Sequence, residues 1–171
     1  ERGAYSHIAC QEIFKDSEIK TCATFEETFR IAYENDNYKI VVPLENSLAG
    51  RVADIHYLLT KYKLQIYGEH FQTGEHSLLA KKDTEIKDIQ YVRSHAQAIG
   101  QCQNIIRKHN FKTIISADTA GSARELSEGS DNTIAAIASN LSAKIYNLKI
   151  LKKNIEDENG NVTRCLLYTS P

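Results

Sequence analysis

The chain has 171 residues, is 42% hydrophobic and carries 21 Lys+Arg against 22 Asp+Glu, a formal charge of -1. That content builds one domain, or two small lobes, with a buried interior. A near-neutral balance gives no basic field to hold nucleic acid or an anionic membrane surface, and the longest apolar runs fall far short of the roughly 20 residues that span a bilayer.

The opening Glu1-Arg2-Gly3-Ala4 lacks the basic-then-apolar pattern of a secretory signal. Four cysteines, at 10, 22, 102 and 165, form no CxxC pair and have no histidine at finger spacing, so neither a zinc site nor a small disulfide scaffold is expected and a reducing cytoplasm fits. The chain contains no Met, and a fragment of a longer protein is expected.

Helical and strand patterns alternate, the mark of an α/β layer architecture. A first helix is expected from about Ser6 to Phe14, and Thr24-x-x-Glu27 has the form of a capping box opening a second, which Asn35-Asp36-Asn37 stops. Lys39 to Val42 reads as a short strand ended by Pro43, with a strand-to-helix loop at Leu44-Glu45-Asn46-Ser47. A helix over Asp54 to Tyr62 then carries Ile55, Leu58, Leu59 and Tyr62 on one face, and strands follow at Leu64 to Gly68 and His76 to Ala80.

After a turn region rich in Lys and Asp, Tyr91-Val92 leads into Ser94. One helix with Ile99, Cys102, Ile105 and Ile106 on its buried side is predicted to run to about Asn110. Lys112 to Ser116 reads as a strand. Asp118 caps a helix ended by Gly129, Thr133 to Ala138 reads as a buried strand feeding a helix from Ser139, and Leu148 to Lys152 and Thr163 to Tyr168 complete the strands. Open α/β sheets bind ligands at the carboxyl ends of their strands, which directs attention to the loops near 43, 94, 118 and 139.

Four clusters lie there or close by. Glu45-Asn46-Ser47 supplies an amide, a hydroxyl and backbone N–H groups suited to a carboxylate, although an ordinary helix cap explains the same residues. Gln97 and Gln101 sit four apart, one turn from Ser94, which aims two amides and a hydroxyl into one crevice unless the face is simply solvated; His95 reads as a capping histidine, not a base. Asp118-Thr119-Ala120-Gly121-Ser122 is a cap followed by residues small enough for close approach of a ligand or of a packed helix. Thr163 opens a strand after Asn161-Val162, and a lone threonine there has no catalytic signature of its own. The six histidines show no HExxH spacing, and no Walker loop, GxGxxG or GxSxG occurs, so no metal or nucleotide cofactor is indicated.

In combination and order these clusters resemble the catalytic domain of the prephenate dehydratases. Gly3-Ala4-Tyr5-Ser6 is similar to that family's Gly-Thr-Phe-Ser opening, and Pro43-Leu44-Glu45-Asn46-Ser47 with Gly50 and Val52 to its Pro-Ile-Glu-Asn-Ser signature. Ser94-His95-Ala96-Gln97-Ala98-Ile99 with Gln101-Cys102 resembles Ser-His-Pro-Gln-Ala-Leu-x-Gln-Cys, Ala135 to Ser139 matches Ala-Ala-Ile-Ala-Ser, and Asn161-Val162-Thr163-Arg164-Cys165 resembles Asn-x-Thr-Arg-Phe.

The resemblance implies a two-lobed α/β fold of the periplasmic-binding-protein type (type II) across residues 1–171. Lobe 1 is then 1–72 with 153–171, lobe 2 is 73–152, and the active site lies in the cleft between the lobes. It implies a cofactor-free lyase that turns prephenate into phenylpyruvate with loss of water and carbon dioxide, in a cytoplasmic enzyme whose full-length form is a homo-oligomer, a dimer or tetramer. The family's catalytic residues carry over to Thr163, Asn46, Gln101 and Ser94, with Ser47, Thr119, Arg164 and Glu45 as substrate-binding neighbours. Thr163 then donates or relays a proton to the leaving hydroxyl, Asn46, Ser47 and Ser94 hold carboxylates, Gln101 fixes the hydroxyl end, and Arg164 pairs with a substrate carboxylate or with Glu45.

The family's proline is Ala96 here and its phenylalanine is Cys165, which loosens the Ser94 loop and shrinks the wall beside Thr163. The strand that precedes the opening motif in the family, its regulatory module and any chorismate mutase domain are not expected within these residues. Two alternatives share the pattern: an arogenate dehydratase, and a non-catalytic module that binds a small carboxylate.

Overall fold

A computed structural model describes residues 1–170. The chain divides into two compact units, one formed by Glu1, Tyr5–Gly74 and the segment from Gly160 onward, the other by Arg2–Ala4 and Glu75–Asn159.

In the first unit α1 (Tyr5–Ile13) and α2 (Phe25–Glu34) precede β1 (Ile40–Asn46), β2 (Gly50–Arg51), α3 (Ala53–Tyr62) and β3 (Gln65–Thr73), and β9 (Val162–Thr169) returns from the far end of the chain. Its antiparallel sheet has the order β2-β1-β9-β3, so the last strand is laid between two early ones. Alternation along the strands sends Ile40, Val42, Leu166 and Tyr168 to one face, against Phe29 and Ala32 of α2 and Ile55 and Leu58 of α3. Val41, Cys165 and Leu167 point to the other face, against Ala9 of α1. Thr24 caps α2 as its sequence predicts, accepting the Glu27 N–H at 3.1 Å.

The second unit holds β4 (Ser77–Ala80), β5 (Tyr91–Ser94), α4 (Ala96–Gln101), α5 (Gln103–His109), β6 (Lys112–Ile115), α6 (Thr119–Glu128), β7 (Ile134–Ala138), α7 (Asn140–Ile145) and β8 (Lys149–Lys152). Sheet order is β6-β5-β7-β4-β8. Strands β6, β5 and β7 run parallel, and β4 is antiparallel to both β7 and β8. Leu78, Val92, Ala135 and Ile137 meet Ile99, Ile105 and Ile106 of α4 and α5. On the opposite face Leu79, Ala136 and Ala138 meet Ala123 and Leu126 of α6 and Ala143 of α7. The fold is therefore α/β, as the alternating pattern predicts.

Three sequence expectations are corrected. Strand β1 does not stop at Pro43 but continues to Asn46, because a register irregularity between Pro43 and Glu45 places the missing donor at a bulge. Strand β3 runs on past Gly68 to Thr73; its polar stretch is tolerated because Glu69 pairs with Arg164 and His70 Nε2 lies 3.2 Å from the Glu12 carboxylate. The single helix predicted to carry Ile99, Cys102, Ile105 and Ile106 and to run to about Asn110 breaks at Cys102 into α4 and α5, where the Asp157 carboxylate accepts from the N–H groups of Gln103 and Asn104 at 2.8 and 2.9 Å and starts a new helix. The chain returns to the first unit at Gly160, after residues 153–159. The intervening segment stays with the second unit through bonds from Ile155 N–H to His76 O and from Asp157 N–H to Gln101 O.

Candidate active site

In the first unit the end of β1 and the start of β9 lie side by side, with Asn46 paired to Thr163. The Asn46 amide nitrogen donates to Thr163 Oγ1 at 3.0 Å and to Asn161 Oδ1 at 2.7 Å. Its oxygen accepts from the N–H groups of Leu48 and Ala49 at 3.0 and 2.9 Å. These bonds use both donors and both acceptor positions of the amide, so its orientation is fixed. Thr163 Oγ1 acts as an acceptor toward Asn46, which leaves the hydroxyl's own proton to be donated elsewhere.

Asn46 and Ser47 therefore do not cap a helix: they open the β1–β2 turn, and the residue before α3 is Val52. Ser47 staples that turn to the approach of β9, donating from Oγ to Gly160 O at 2.6 Å and accepting from Val162 N–H at 2.9 Å. Asn161, only 5% exposed, donates to Gly74 O at 3.2 Å. A Cβ on Gly74 would lie 2.6 Å from the Asn161 amide nitrogen, so a side chain there would push Asn161 off Asn46.

Glu45 and Arg164 do not join Asn46 and Thr163. Neighbouring residues of a strand point to opposite faces, and Arg164 spans Glu45 at 3.2 Å and Glu69 at 2.8 Å on the face that carries Leu166 and Tyr168. Those two carboxylates raise the guanidinium's pKa further. Of the two roles expected for Arg164, the pairing with Glu45 is the one found.

Sequence reasoning missed Gln72. It lies opposite Thr163 on β3, is buried, and its amide oxygen is 3.3 Å from His70 Nε2. Only the strand pairing reveals it, since nothing in the linear sequence marks residue 72 as a neighbour of residue 163.

In the second unit β5, β6 and β7 end together, and α4, α6 and α7 start from that edge. Ser94 is fully buried and donates to Ile137 O at 2.7 Å. His95 is the cap of α4, its Nδ1 accepting from Gln97 N–H at 3.3 Å, as expected. Thr119 is the first residue of α6, half-buried behind the Asp118 cap, which takes the Gly121 N–H at 2.6 Å.

Gln97 and Gln101 do not converge. Gln97 is exposed, whereas Gln101 Oε1 lies 2.7 Å from Nε2 of the buried His76 at the head of β4. Burial lowers the His76 pKa, which favours the neutral ring. Among the described residues no group of three or more His, Cys, Asp or Glu side chains is placed to hold a metal ion, and no helix is long and apolar enough to cross a membrane.

The family model described as prephenate dehydratase matches residues 1–170. A bifunctional N-acyl-homoserine lactone acylase/prephenate dehydratase of Komagataeibacter europaeus is 37% identical, over 95% of this chain and 58% of its own length. Arogenate dehydratase/prephenate dehydratase 2, chloroplastic, of Arabidopsis thaliana is also 37% identical, over 97% of this chain and 44% of its own. The chain thus spans about half the length of these curated relatives. The solved prephenate dehydratase of Staphylococcus aureus superposes with a TM-score of 0.83 at 28% identity, covering 99% of this chain and 63% of that one. An ABC transporter structure from Parabacteroides distasonis shares the fold alone, with a TM-score of 0.52 at 12% identity, over 95% of this chain and 61% of that one.

Proposed function

The chain belongs to the prephenate dehydratase family, and from that premise we propose that it carries the lyase site that converts prephenate to phenylpyruvate in L-phenylalanine biosynthesis. The observation that supports this best is the Asn46–Thr163 bond: an amide donor fixed on the hydroxyl oxygen turns the Thr163 proton outward. Protonating the ring hydroxyl is the demanding step, because hydroxide is a poor leaving group.

In this reading Thr163 gives its proton to that hydroxyl and the C–O bond breaks with loss of water. The electron pair of the ring's carboxylate C–C bond moves into the ring, carbon dioxide leaves, and the ring becomes aromatic. Asn46 stabilises the charge that develops on Thr163 Oγ1, and solvent returns the proton, so one proton is consumed per turnover. Gln101 holds the hydroxyl end. Ser94, tied to Ile137 O, anchors the first turn of α4, and the N-terminal turn of α6 at Thr119 favours a substrate carboxylate. Ser47 supports Asn46 through the turn it staples, and the Glu45–Arg164 pair braces the strands behind them.

No cofactor enters this chemistry, and the working form is proposed to be a cytoplasmic homo-oligomer. The four free thiols support a reducing compartment.

The test is phenylpyruvate formation from prephenate, followed by absorbance. Thr163→Ala is expected to lower turnover by about 10²- to 10⁴-fold, with Thr163→Ser retaining most of it; a near-normal rate for Thr163→Ala overturns the acid role. Arogenate assayed in parallel decides the second reading, since the name of the Arabidopsis relative carries both activities. Substrate binding without turnover would indicate the carboxylate-binding module instead.

A further inference from the structure

We propose that His76 is a positioning residue for the Gln101 amide, held in register by the 155–157 segment; this rests on the dehydratase reading above. Gln101 Oε1 lies 2.7 Å from His76 Nε2. An amide oxygen only accepts, so with the oxygen on this side the contact requires Nε2 to carry the ring proton and donate it. That bond removes the twofold ambiguity of the glutamine amide: oxygen toward His76, nitrogen on the opposite prong.

The surroundings hold both partners. His76 is 3% exposed. Its backbone N–H donates to Glu156 Oε2 at 3.0 Å, and its carbonyl accepts from Ile155 N–H at 2.9 Å. The Asp157 N–H donates to the Gln101 carbonyl at 2.7 Å, while the Asp157 carboxylate takes the Gln103 and Asn104 N–H groups just beyond it. Three consecutive residues thus fix the backbone of the histidine and the backbone of the glutamine it orients. A flipped or freely rotating Gln101 would present an acceptor where a hydroxyl end needs a donor, and geometric errors of this size cost up to about 10²-fold in rate.

A double-mutant cycle on phenylpyruvate formation tests this. His76→Leu is expected to lower kcat by about 10- to 100-fold with a smaller change in KM, and His76→Gln, which keeps a side-chain N–H near the Nε2 position, is expected to recover most of the loss. In a Gln101→Leu background His76→Leu should cost less than about twofold more, because there is no amide left to position. An equal loss in both backgrounds, or no recovery with His76→Gln, overturns the proposal.

Nitrogen-15 NMR of the imidazole gives a readout independent of activity, and the tautomer seen in the parent chain is also independent of how the variants fold. The expected result is an Nε2–H tautomer, protected from exchange, whose resonance shifts in Gln101→Leu. An Nδ1–H tautomer, or an Nε2–H signal indifferent to Gln101→Leu, overturns it. A parent chain that makes no phenylpyruvate refutes the dehydratase reading, and the NMR result then decides the His76–Gln101 pairing alone.

Discussion

At the scale of single residues, the first unit's site is organised by one side chain whose every hydrogen-bonding position is used. Asn46 faces an acceptor at Asn161 and a hydroxyl at Thr163. Asn46→Asp replaces the donor by a second acceptor, repels Asn161 Oδ1 and draws the Thr163 proton to itself. Turnover is expected to fall about 10²- to 10³-fold, the cost of losing a fixed donor at a developing negative charge, with the fold retained by circular dichroism.

His76 makes a prediction of another kind. Its pKa is lowered by burial below the ordinary 6.5, so on acidification the unfolded state binds a proton that the folded state refuses. The resulting stability is complete above the unfolded value and is lost as pH falls through the folded one. Urea unfolding at about pH 7.5 and about pH 5.5 should show the lower midpoint at the acid value, and His76→Gln should flatten the difference. The order of short motifs pointed to the residue types of the candidate site and to the Arg164–Glu45 pair, but not to the other partners: Asn161 reaches Asn46 across 115 positions of sequence, and Gln72 meets Thr163 only through strand pairing.

Elements were legible wherever their signals are local. Thr24 and Asp118 cap α2 and α6 through bonds made within three residues, and such short-range chemistry is written in the sequence. The break between α4 and α5 was not, since its cause is the distant Asp157. Asp157→Ala should therefore behave as the loss of a cap, destabilising by about 1 kcal/mol in chemical denaturation, even though residue 157 lies outside the helix. Pro43 misled for the complementary reason: its missing donor matters only in a regular ladder, and β1 is irregular there.

At the scale of the whole molecule, the second unit is nearly continuous in sequence and the first is not. Residues 75–159 contain all five strands of one sheet and the apolar faces of α4 to α7. Expressed alone, that segment is expected to give a single cooperative thermal transition with an α/β circular dichroism spectrum. Its stability should lie below that of the parent, because the Gly3 carbonyl that accepts from Ser139 and Ser142 is lost. A non-cooperative melt would count against its autonomy. The α/β class followed from alternating periodicity, but the insertion of one unit into the other did not, because periodicity reports an element's environment and not its address.

The place of β9 between β1 and β3 also sets a calendar for synthesis. A chain leaving the ribosome produces β1 and β3 early, yet these strands wait with their shared neighbour untranslated until the inserted unit has been made. Val162–Thr169 then enters as the closing member, bringing Thr163 to Asn46 in the same movement. The usual order, in which the earlier-translated part matures first, is inverted here: the insert can finish while its host is still incomplete, and the hydroxyl proposed as the acid arrives with the strand that completes the host.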